Sequence, residues 1–344
     1  MTCRRQIPER GGDISTERRS HELDQLLDSF SQGDRRSLGR LLTVVEQGTT
    51  AEIRRIVTHL HPQAARSLIV GVTGAPGSGK STLTSALITE LRKRDNTVAV
   101  LAVDPSSSRS GGALLGDRIR MDLAHHADEG VFIRSTAARG HLGGLSPSTF
   151  HALSVMETAG FDVIIVETVG VGQSEVDVAR VADTTVVVVA PGMGDDVQAA
   201  KAGVLEIADV FVINKADYPG AAKLEAELRS MLRSGEDLRA SVGEDSEWRV
   251  PVVRTVAIRA EGVSRVVDAI HSHNDFRQAS ADPDRWRRAR TLEAVKLIAM
   301  ERVQQLLAAC ELDARHPGAS EESALLDLDP YAAADQLLTA LRLA

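Results

Sequence analysis

The sequence predicts an α/β fold in which a mostly parallel central sheet is flanked by helices. Between residues 67 and 271, short runs of apolar residues alternate with helical patterns. Continuous apolar runs indicate strands buried on both faces, and a sheet that is covered on both faces is typically parallel. The alternation of strand and helix patterns therefore predicts a βαβ series and a three-layer arrangement.

The patterns divide the chain into four segments: a polar tail at 1–20, an N-terminal helical extension at 21–62, a nucleotide-binding domain at 63–274 and a C-terminal helical arm at 275–344. Strands are predicted at 68–72, 98–103, 163–166, 185–190, 210–213 and 252–256. Helices are predicted between them at 80–94, 146–159, 197–208, 221–233 and 263–271, and after them at 285–312 and 330–343. Two late helices outside a sheet favour an arm or a dimer interface, although they could also pack on their own domain.

The composition argues against several classes of function. The 344 residues carry a net charge of −8 and only 3% aromatic residues, which disfavours binding to a nucleic-acid backbone or to single-stranded bases. No apolar run approaches the ~20 residues that a membrane span needs. The two cysteines, Cys3 and Cys310, form neither a disulfide framework nor a metal-binding spacing. This usage is typical of the reducing cytoplasm, and we expect that location.

A glycine-rich motif follows the first predicted strand and begins the first helix of the series. Its glycines let backbone N–H groups turn toward phosphate oxygens, and the helix N-terminus adds partial positive charge. Lys80 is expected to reach the β- and γ-phosphates, and the Ser81 hydroxyl to bind Mg²⁺. The motif predicts a P-loop NTPase fold, and its nucleotide-binding residues are Gly74, Ala75, Pro76, Gly77, Ser78, Gly79, Lys80, Ser81 and Thr82.

A second motif, Asn214-Lys215-Ala-Asp217, follows the predicted strand at 210–213. The Asp217 carboxylate can accept two hydrogen bonds from N1 and N2 of guanine, whereas adenine lacks this pair of donors. The Asn214 amide is expected to contact the N7 and O6 side of the base, and the Lys215 stem to lie over the ring. Backbone N–H groups at the end of the last strand are expected to reach guanine O6, from Thr255, Val256 and Ala257.

A third motif is an apolar strand that ends in an acid, Glu167, as in a Walker-B arrangement in which the acid holds Mg²⁺ directly or through water. Gly170 could donate its N–H to the γ-phosphate. Gln173 is a candidate to orient the attacking water, although a solvated loop side chain is an equal alternative. Asp104 and Asp117 could complete an oxygen-ligand shell for the metal, or could instead cap turns.

Two loops have the character of nucleotide-sensitive segments. The loop around Arg109 could order on the γ-phosphate and relax after hydrolysis, and Arg109 is the nearest candidate for an arginine finger. The acidic segment 191–201 is either a further mobile loop that a partner touches or a helix N-terminus whose acids complement the dipole. Its candidate residues are Asp195, Asp196, Gln198 and Lys201.

Together these motifs resemble the MeaB/ArgK family of P-loop GTPases over about residues 21–310. The strings that carry the resemblance are GAPGSGKST, VDPSSSRSGG with LGD, RGHLGG, FDVIIVETVGVGQSE, APGMGDDVQAAKAG and NKAD. The resemblance implies a homodimeric GTPase that uses GTP, GDP and Mg²⁺. It also implies that hydrolysis is coupled to cofactor loading and protection of an adenosylcobalamin-dependent acyl-CoA mutase, usually methylmalonyl-CoA mutase.

The same resemblance implies roles for individual residues. Lys80 and Ser81 would bind phosphate and Mg²⁺, Asn214 and Asp217 would read guanine, and segment 191–201 would be a switch facing the mutase. The metal site would be completed by Asp104, Asp117 and Glu167, and the late helices would form the dimerisation arm. His141 departs from the family pattern, because a small hydroxyl residue is expected there.

Two alternatives use the same core. An ATP-dependent kinase or ATPase linked to lysine, arginine or ornithine transport is disfavoured by the guanine-selective turn. A nickel or cobalt insertase would need a Cys/His cluster, which the sequence lacks.

Overall fold

The computed structural model describes residues 12–60, 67–105, 125, 127–138, 146–168, 174–192, 204–241 and 248–314. By its contacts the chain divides into two compact units, residues 1–286 and 287–344. The first unit holds the sheet. None of the described helices is long and apolar enough to cross a membrane.

Within the described ranges, seven strands form one sheet in which every pairing is parallel. The strands are β1 Leu68–Thr73, β2 Val98–Pro105, β3 Val131–Ala138, β4 Val163–Thr168, β5 Thr184–Val189, β6 Val210–Ile213 and β7 Val252–Arg254. Their order across the sheet is β3-β2-β4-β1-β5-β6-β7. The predicted α/β fold with a parallel sheet is confirmed, and β1 lies at its centre.

The edge strand β3 was not predicted, because its sequence VFIRSTAA breaks the apolar pattern of a doubly buried strand. It pairs only with β2. Arg134 projects from it to an ion pair with Glu46 in the N-terminal helices, with 3.3 Å between Arg134 Nε and Glu46 Oε1. The polar residues of β3 therefore serve contacts that an edge strand makes outside the sheet core.

Three aspartates fix the register of the sheet at the edge where the strands begin. Asp162, Asp183 and Asp209 each stand directly before a strand, namely β4, β5 and β6. Each carboxylate accepts a hydrogen bond from a backbone N–H at the start of a neighbouring strand, from Thr97, Ile69 and Thr185 at 2.7, 3.0 and 2.7 Å, respectively. If one strand slipped by one residue along its neighbour, these bonds would break. They therefore also fix the register at the other end of each strand.

The helices that follow the strands are α4 Lys80–Lys93, α5 Pro147–Thr158, α6 Ser174–Asp177, α7 Val204–Ile207, α8 Ala221–Ser241 and α9 Val263–Gln278. Helices α4 and α9 cover one face of the sheet with buried side chains that include Leu83, Leu87, Val266, Val267 and Ile270. Of the helix predicted at 197–208, the structure describes only α7. The last predicted helix, at 330–343, lies outside the described residues.

The N-terminal extension consists of α1 Gly12–Ser31, α2 Arg35–Gln47 and α3 Thr50–Leu60. Helix α1 begins inside the segment that the sequence predicts as a polar tail. Asp34 caps α2, because its carboxylate accepts hydrogen bonds from the backbone N–H groups of Arg36 and Ser37 at 3.2 and 3.1 Å. The apolar side chains on the inner face of α2 are buried, namely Leu38, Leu41, Leu42 and Val45.

The long helix α10, Arg285–Ala314, begins in the first unit and continues into the second. Along it, several large apolar side chains are exposed, with exposed fractions from 42% to 59%: Leu292, Val295, Met300, Val303 and Leu306. An apolar stripe on one exposed helix is typical of a surface that is covered in an assembly.

Candidate functional site

The glycine-rich motif forms the turn between the central strand β1 and helix α4. Gly74, Gly77 and Gly79 have φ values of 135°, 79° and 91°. Residues that carry a side chain rarely adopt such backbone conformations. A Cβ atom at Gly74 would lie only 2.1 Å from the carbonyl oxygen of Val188 in β5. The loop therefore takes this path only because these positions carry no side chain.

Lys80 occupies the inside of this loop. Its side chain is buried, and Nζ donates hydrogen bonds to the carbonyl oxygens of Gly74 and Ala75 at 2.6 and 3.1 Å. The ammonium thus lies at the N-terminus of α4, where the helix dipole adds positive potential. A loop of this kind, with a buried cation and turned backbone N–H groups, fits an anion such as a phosphate.

Ser81 and Glu167 connect this loop to the neighbouring strand β4. Ser81 Oγ donates a hydrogen bond of 2.6 Å to Glu167 Oε1, and the register pairs Val72 of β1 with Glu167 of β4. Glu167 is only 5% exposed. A hydroxyl and a carboxylate oxygen at one point are ligands that suit Mg²⁺, which usually takes one or two protein groups together with substrate phosphates.

The donor set agrees with such a shared metal site. Among the described residues, no group of three His, Cys, Asp or Glu side chains could hold a metal ion alone. The two oxygen ligands of Ser81 and Glu167 fit a Mg²⁺ ion that is also bound by phosphate oxygens. Asp104 lies near the end of β2, next to β4 in the sheet, and its side chain is outside the described part.

Asn214 joins three segments that are far apart in the sequence. Its Nδ2 donates to the carbonyl oxygen of Ser78 at 3.0 Å, and its Oδ1 accepts from Thr255 Oγ1 and Ala257 N at 3.2 and 3.1 Å. The residue is 3% exposed. These bonds hold together the P-loop, the Asn214 turn and the segment after β7, and the predicted contact of this amide with a base stays a prediction.

Lys215 makes a second connection to the P-loop. Its Nζ donates to the carbonyl oxygen of Gly77 at 2.8 Å, and its φ of 55° lies in the left-handed region. Strained backbone of this kind is found at functional sites where the surroundings determine it. The Lys215 side chain is exposed and spans the gap between the two loops, so its stem can form one wall of a site.

Asp217 lies beyond this turn and is exposed. Its Oδ2 accepts a hydrogen bond from Arg259 Nη1 at 3.2 Å. Arg259 follows Ala257 in the short turn after β7, together with Ile258, whose side chain is 83% exposed. Neither Ile258 nor Arg259 was identified from the sequence. The sequence signal that could have identified this turn is Ile258, an apolar residue directly after Thr255-Val256-Ala257.

The structure thus brings together the P-loop residues, Glu167, the Asn214 motif and residues 255–257. Other predicted site residues lie outside its described part and stay predictions: Arg109, Asp117, Gly170, Gln173, Asp195, Asp196, Gln198 and Lys201.

Comparison with known proteins agrees with this arrangement. A family model described as "Methylmalonyl Co-A mutase-associated GTPase MeaB" matches residues 38–311. A Pyrococcus abyssi protein, whose name assigns it provisionally to the GTPases, is 45% identical over 316 residues, which cover 92% of this chain and 96% of the relative. GTPase ArgK of Escherichia coli is 38% identical over 280 residues, 80% of this chain and 82% of that protein.

The crystal structure of an LAO/AO transport system kinase superposes with a TM-score of 0.66 at 26% sequence identity. The match covers 98% of this chain and 100% of that one. The family match spans most of the sequence, and the P-loop, Glu167 and the Asn214 motif all lie within it. The chain belongs to the MeaB family of P-loop GTPases.

Proposed function

We propose that this GTPase is magnesium-dependent and acts as a chaperone for an adenosylcobalamin-dependent acyl-CoA mutase. GTP binding and hydrolysis would be coupled to loading of the mutase with its cofactor and to its protection. The observation that carries the proposal is the linkage of the two loops. Asn214 and Lys215 bond to the backbone of the P-loop at 3.0 and 2.8 Å, so one surface can hold a base and its phosphates.

The phosphate half of the site would work through Lys80, Ser81 and Glu167. Lys80 would exchange its bonds to the Gly74 and Ala75 carbonyl oxygens for bonds to the β- and γ-phosphates. Ser81 and Glu167 would hold Mg²⁺, which would neutralise charge on the phosphate oxygens when bound. Glu167, at 5% exposure, would act in a poorly solvated position, where its charge has its largest effect.

The base half of the site would read guanine through Asp217. The carboxylate would accept bonds from N1 and N2, whereas an adenine nucleotide would offer it no such pair of donors. The Lys215 stem and the exposed Ile258 side chain would enclose the faces of the ring, since apolar side chains gain by covering a base. The backbone N–H groups of Thr255, Val256 and Ala257 would lie toward O6.

Residues beyond the end of β4 would sense the γ-phosphate. Gly170 would donate its N–H, Gln173 would orient water, and Asp104 and Asp117 would complete the metal shell. Arg109 would supply charge to the transition state. Because Arg109 is only the nearest candidate for an arginine finger, we expect slow hydrolysis by the protein alone and acceleration when the client contributes charge to the transition state.

The proposed client follows from the family description, which names a GTPase associated with methylmalonyl-CoA mutase. The segment that contains Asp195, Asp196, Gln198 and Lys201 follows β5, which ends at the nucleotide edge of the sheet. It would therefore lie where a partner could respond to the bound nucleotide. Methylmalonyl-, isobutyryl- and ethylmalonyl-CoA mutases are all candidate clients.

The protein would act as a homodimer in the cytoplasm. The apolar stripe on α10, which includes Leu292, Val295 and Met300, supports an interface on this helix. We do not favour the alternative function in ATP-dependent transport, because the family model and the named relatives are GTPases and Asp217 disfavours adenine.

The test is GTP turnover by this chain, measured with and without each candidate mutase. We expect one mutase to accelerate phosphate release, and Lys80→Ala to abolish both rates. Equal rates with and without all three mutases would contradict the chaperone role and leave only the GTPase.

A further inference from the structure

We propose that Arg259 sets the selectivity for guanine by holding the carboxylate of Asp217 in its base-reading orientation. This inference rests on the proposed guanine site and adds a positioning residue to it. Arg259 itself would not touch the base; it would act through Asp217.

The guanidinium of Arg259 bridges two carboxylates. Its Nε and Nη2 donate to the two carboxylate oxygens of Glu261 at 2.7 and 3.4 Å. Its Nη1 donates to Oδ2 of Asp217 at 3.2 Å. Because the planar fork is held by Glu261 at two points, the third donor has a defined direction toward Asp217.

The backbone that carries Arg259 is a closed turn. Val256 and Glu261 exchange two backbone hydrogen bonds, at 3.0 and 3.3 Å, and the N–H of Arg259 donates to the carbonyl oxygen of Val256 at 2.9 Å. The turn ends at Gly262, where φ is 78° and a Cβ atom would lie 2.2 Å from the carbonyl oxygen of Arg254. These contacts fix the backbone position from which the Arg259 side chain extends.

The same turn is bonded to the base-reading loop at a second point. The N–H of Ala257 donates to Asn214 Oδ1 at 3.1 Å, so the turn and the loop that carries Asp217 are held together at both ends. Arg259 therefore reaches Asp217 across a fixed distance. The Asp217 side chain then loses less rotational freedom when a ligand binds. This smaller entropy cost increases the affinity, which is the advantage of a preorganised group.

The contact is compatible with base recognition. Each carboxylate oxygen can accept two hydrogen bonds, so Arg259 leaves Asp217 able to accept from both N1–H and N2–H of guanine. The side chains of Arg259 and Asp217 are 50% and 35% exposed, and exposed pairs contribute little on their own. The expected effect on affinity is therefore modest, about three- to fivefold. In a competing role, Arg259 would block Asp217 until guanine displaces it. Removal of Arg259 would then tighten nucleotide binding instead of weakening it.

Calorimetry with GDP separates these roles. The proteins are the wild type, Arg259→Ala, Asp217→Ala and the double variant, each as the full chain with Mg²⁺. We expect Arg259→Ala to weaken GDP binding about three- to fivefold, and to have no further effect when Asp217 is already alanine. It should also lower the preference for GDP over inosine diphosphate, which lacks the 2-amino group. Tighter binding, or an equal loss in both backgrounds, would overturn the proposal.

Two further variants complete the design. Arg259→Lys keeps the charge but cannot grip Glu261 with two donors, so we expect it to recover less than half of the lost affinity; full recovery would overturn the positioning role. Arg54→Ala removes an exposed arginine from α3 and should leave GDP affinity unchanged. If the wild type bound no GDP, that result would contradict the proposed guanine site itself. A wild type that binds GDP without the expected effects of the Arg259 variants would contradict only the role of Arg259.

Discussion

The hydroxyl of Ser81 donates a hydrogen bond of 2.6 Å to Oε1 of Glu167. The two residues belong to motifs 86 positions apart in the sequence, and they meet because β1 and β4 are neighbours in the sheet. Their contact joins the end of the P-loop to the acid at the end of β4, so either residue can be tested for a role in metal binding.

Glu167→Gln keeps the shape of the side chain and removes its charge. We expect Mg²⁺-dependent GTP hydrolysis to fall about 100-fold, because one electrostatic contact at a reacting phosphate is typically worth that much. GDP binding without Mg²⁺ should remain. Phosphate release measured against Mg²⁺ concentration tests this, with Glu90→Gln on α4 as the matched control. An unchanged Mg²⁺ dependence would exclude Glu167 from the metal site.

Gly74→Ala should destabilise the protein much more than Gly77→Ala. Both positions have a positive φ, so both variants carry a backbone penalty of about 1–2 kcal/mol. Only at Gly74 would the new Cβ meet backbone, 2.1 Å from the carbonyl oxygen of Val188; nothing lies within 4 Å of a Cβ at Gly77. The free energy of unfolding in urea, without nucleotide, measures the difference. Equal losses would show that the loop is not held against β5 as described.

Asn214→Ala should lower both stability and nucleotide affinity. It removes the buried partner of the Thr255 hydroxyl and of the Ser78 carbonyl oxygen, and each buried group left unsatisfied costs about 1–3 kcal/mol. Asn214→Asp keeps the acceptor oxygen but places a second carboxylate oxygen, with its charge, against the buried carbonyl oxygen of Ser78, so we expect it to be at least as unstable as Asn214→Ala. Urea unfolding of the three proteins gives the comparison. Wild-type stability in Asn214→Ala would contradict the linking role.

The strands around the P-loop could be predicted from the sequence because β1, β4 and β6 are continuous apolar runs that are each followed by, or end in, a motif. The edge strand β3 was not accessible, because its polar residues serve contacts such as that between Arg134 and Glu46. The partners of Asn214 could not be foreseen either. They depend on the approach of segments 136 and 43 residues away, which only the folded sheet produces.

Acid should destabilise the protein partly through His151. Burial lowers the pKa of His151 to about 4, from 6.5, so the unfolded chain binds a proton more readily between these values. Its contribution to stability is therefore complete above pH 6.5 and is lost as the pH falls to 4, by roughly 3 kcal/mol at most.

The variant His151→Phe isolates this effect from other buried groups, such as His273, whose pKa is also lowered by burial to about 4, and Asp209, whose pKa burial raises to about 6. We expect the stability of the variant relative to the wild type to increase as the pH falls from 6.5 to 4. Unfolding free energies measured across this range test the sign. A difference independent of pH would mean that His151 does not titrate in this window.

The most direct test of the account is calorimetric titration of the wild type and of Asp217→Asn with GDP and xanthosine diphosphate in Mg²⁺. Xanthine carries an oxygen where guanine carries the 2-amino group, so an amide at this position can donate where the carboxylate accepted. We predict that the wild type binds GDP and prefers it to xanthosine diphosphate, and that Asp217→Asn reverses the preference. Absence of heat with GDP for the wild type, or an unchanged preference in the variant, would contradict it.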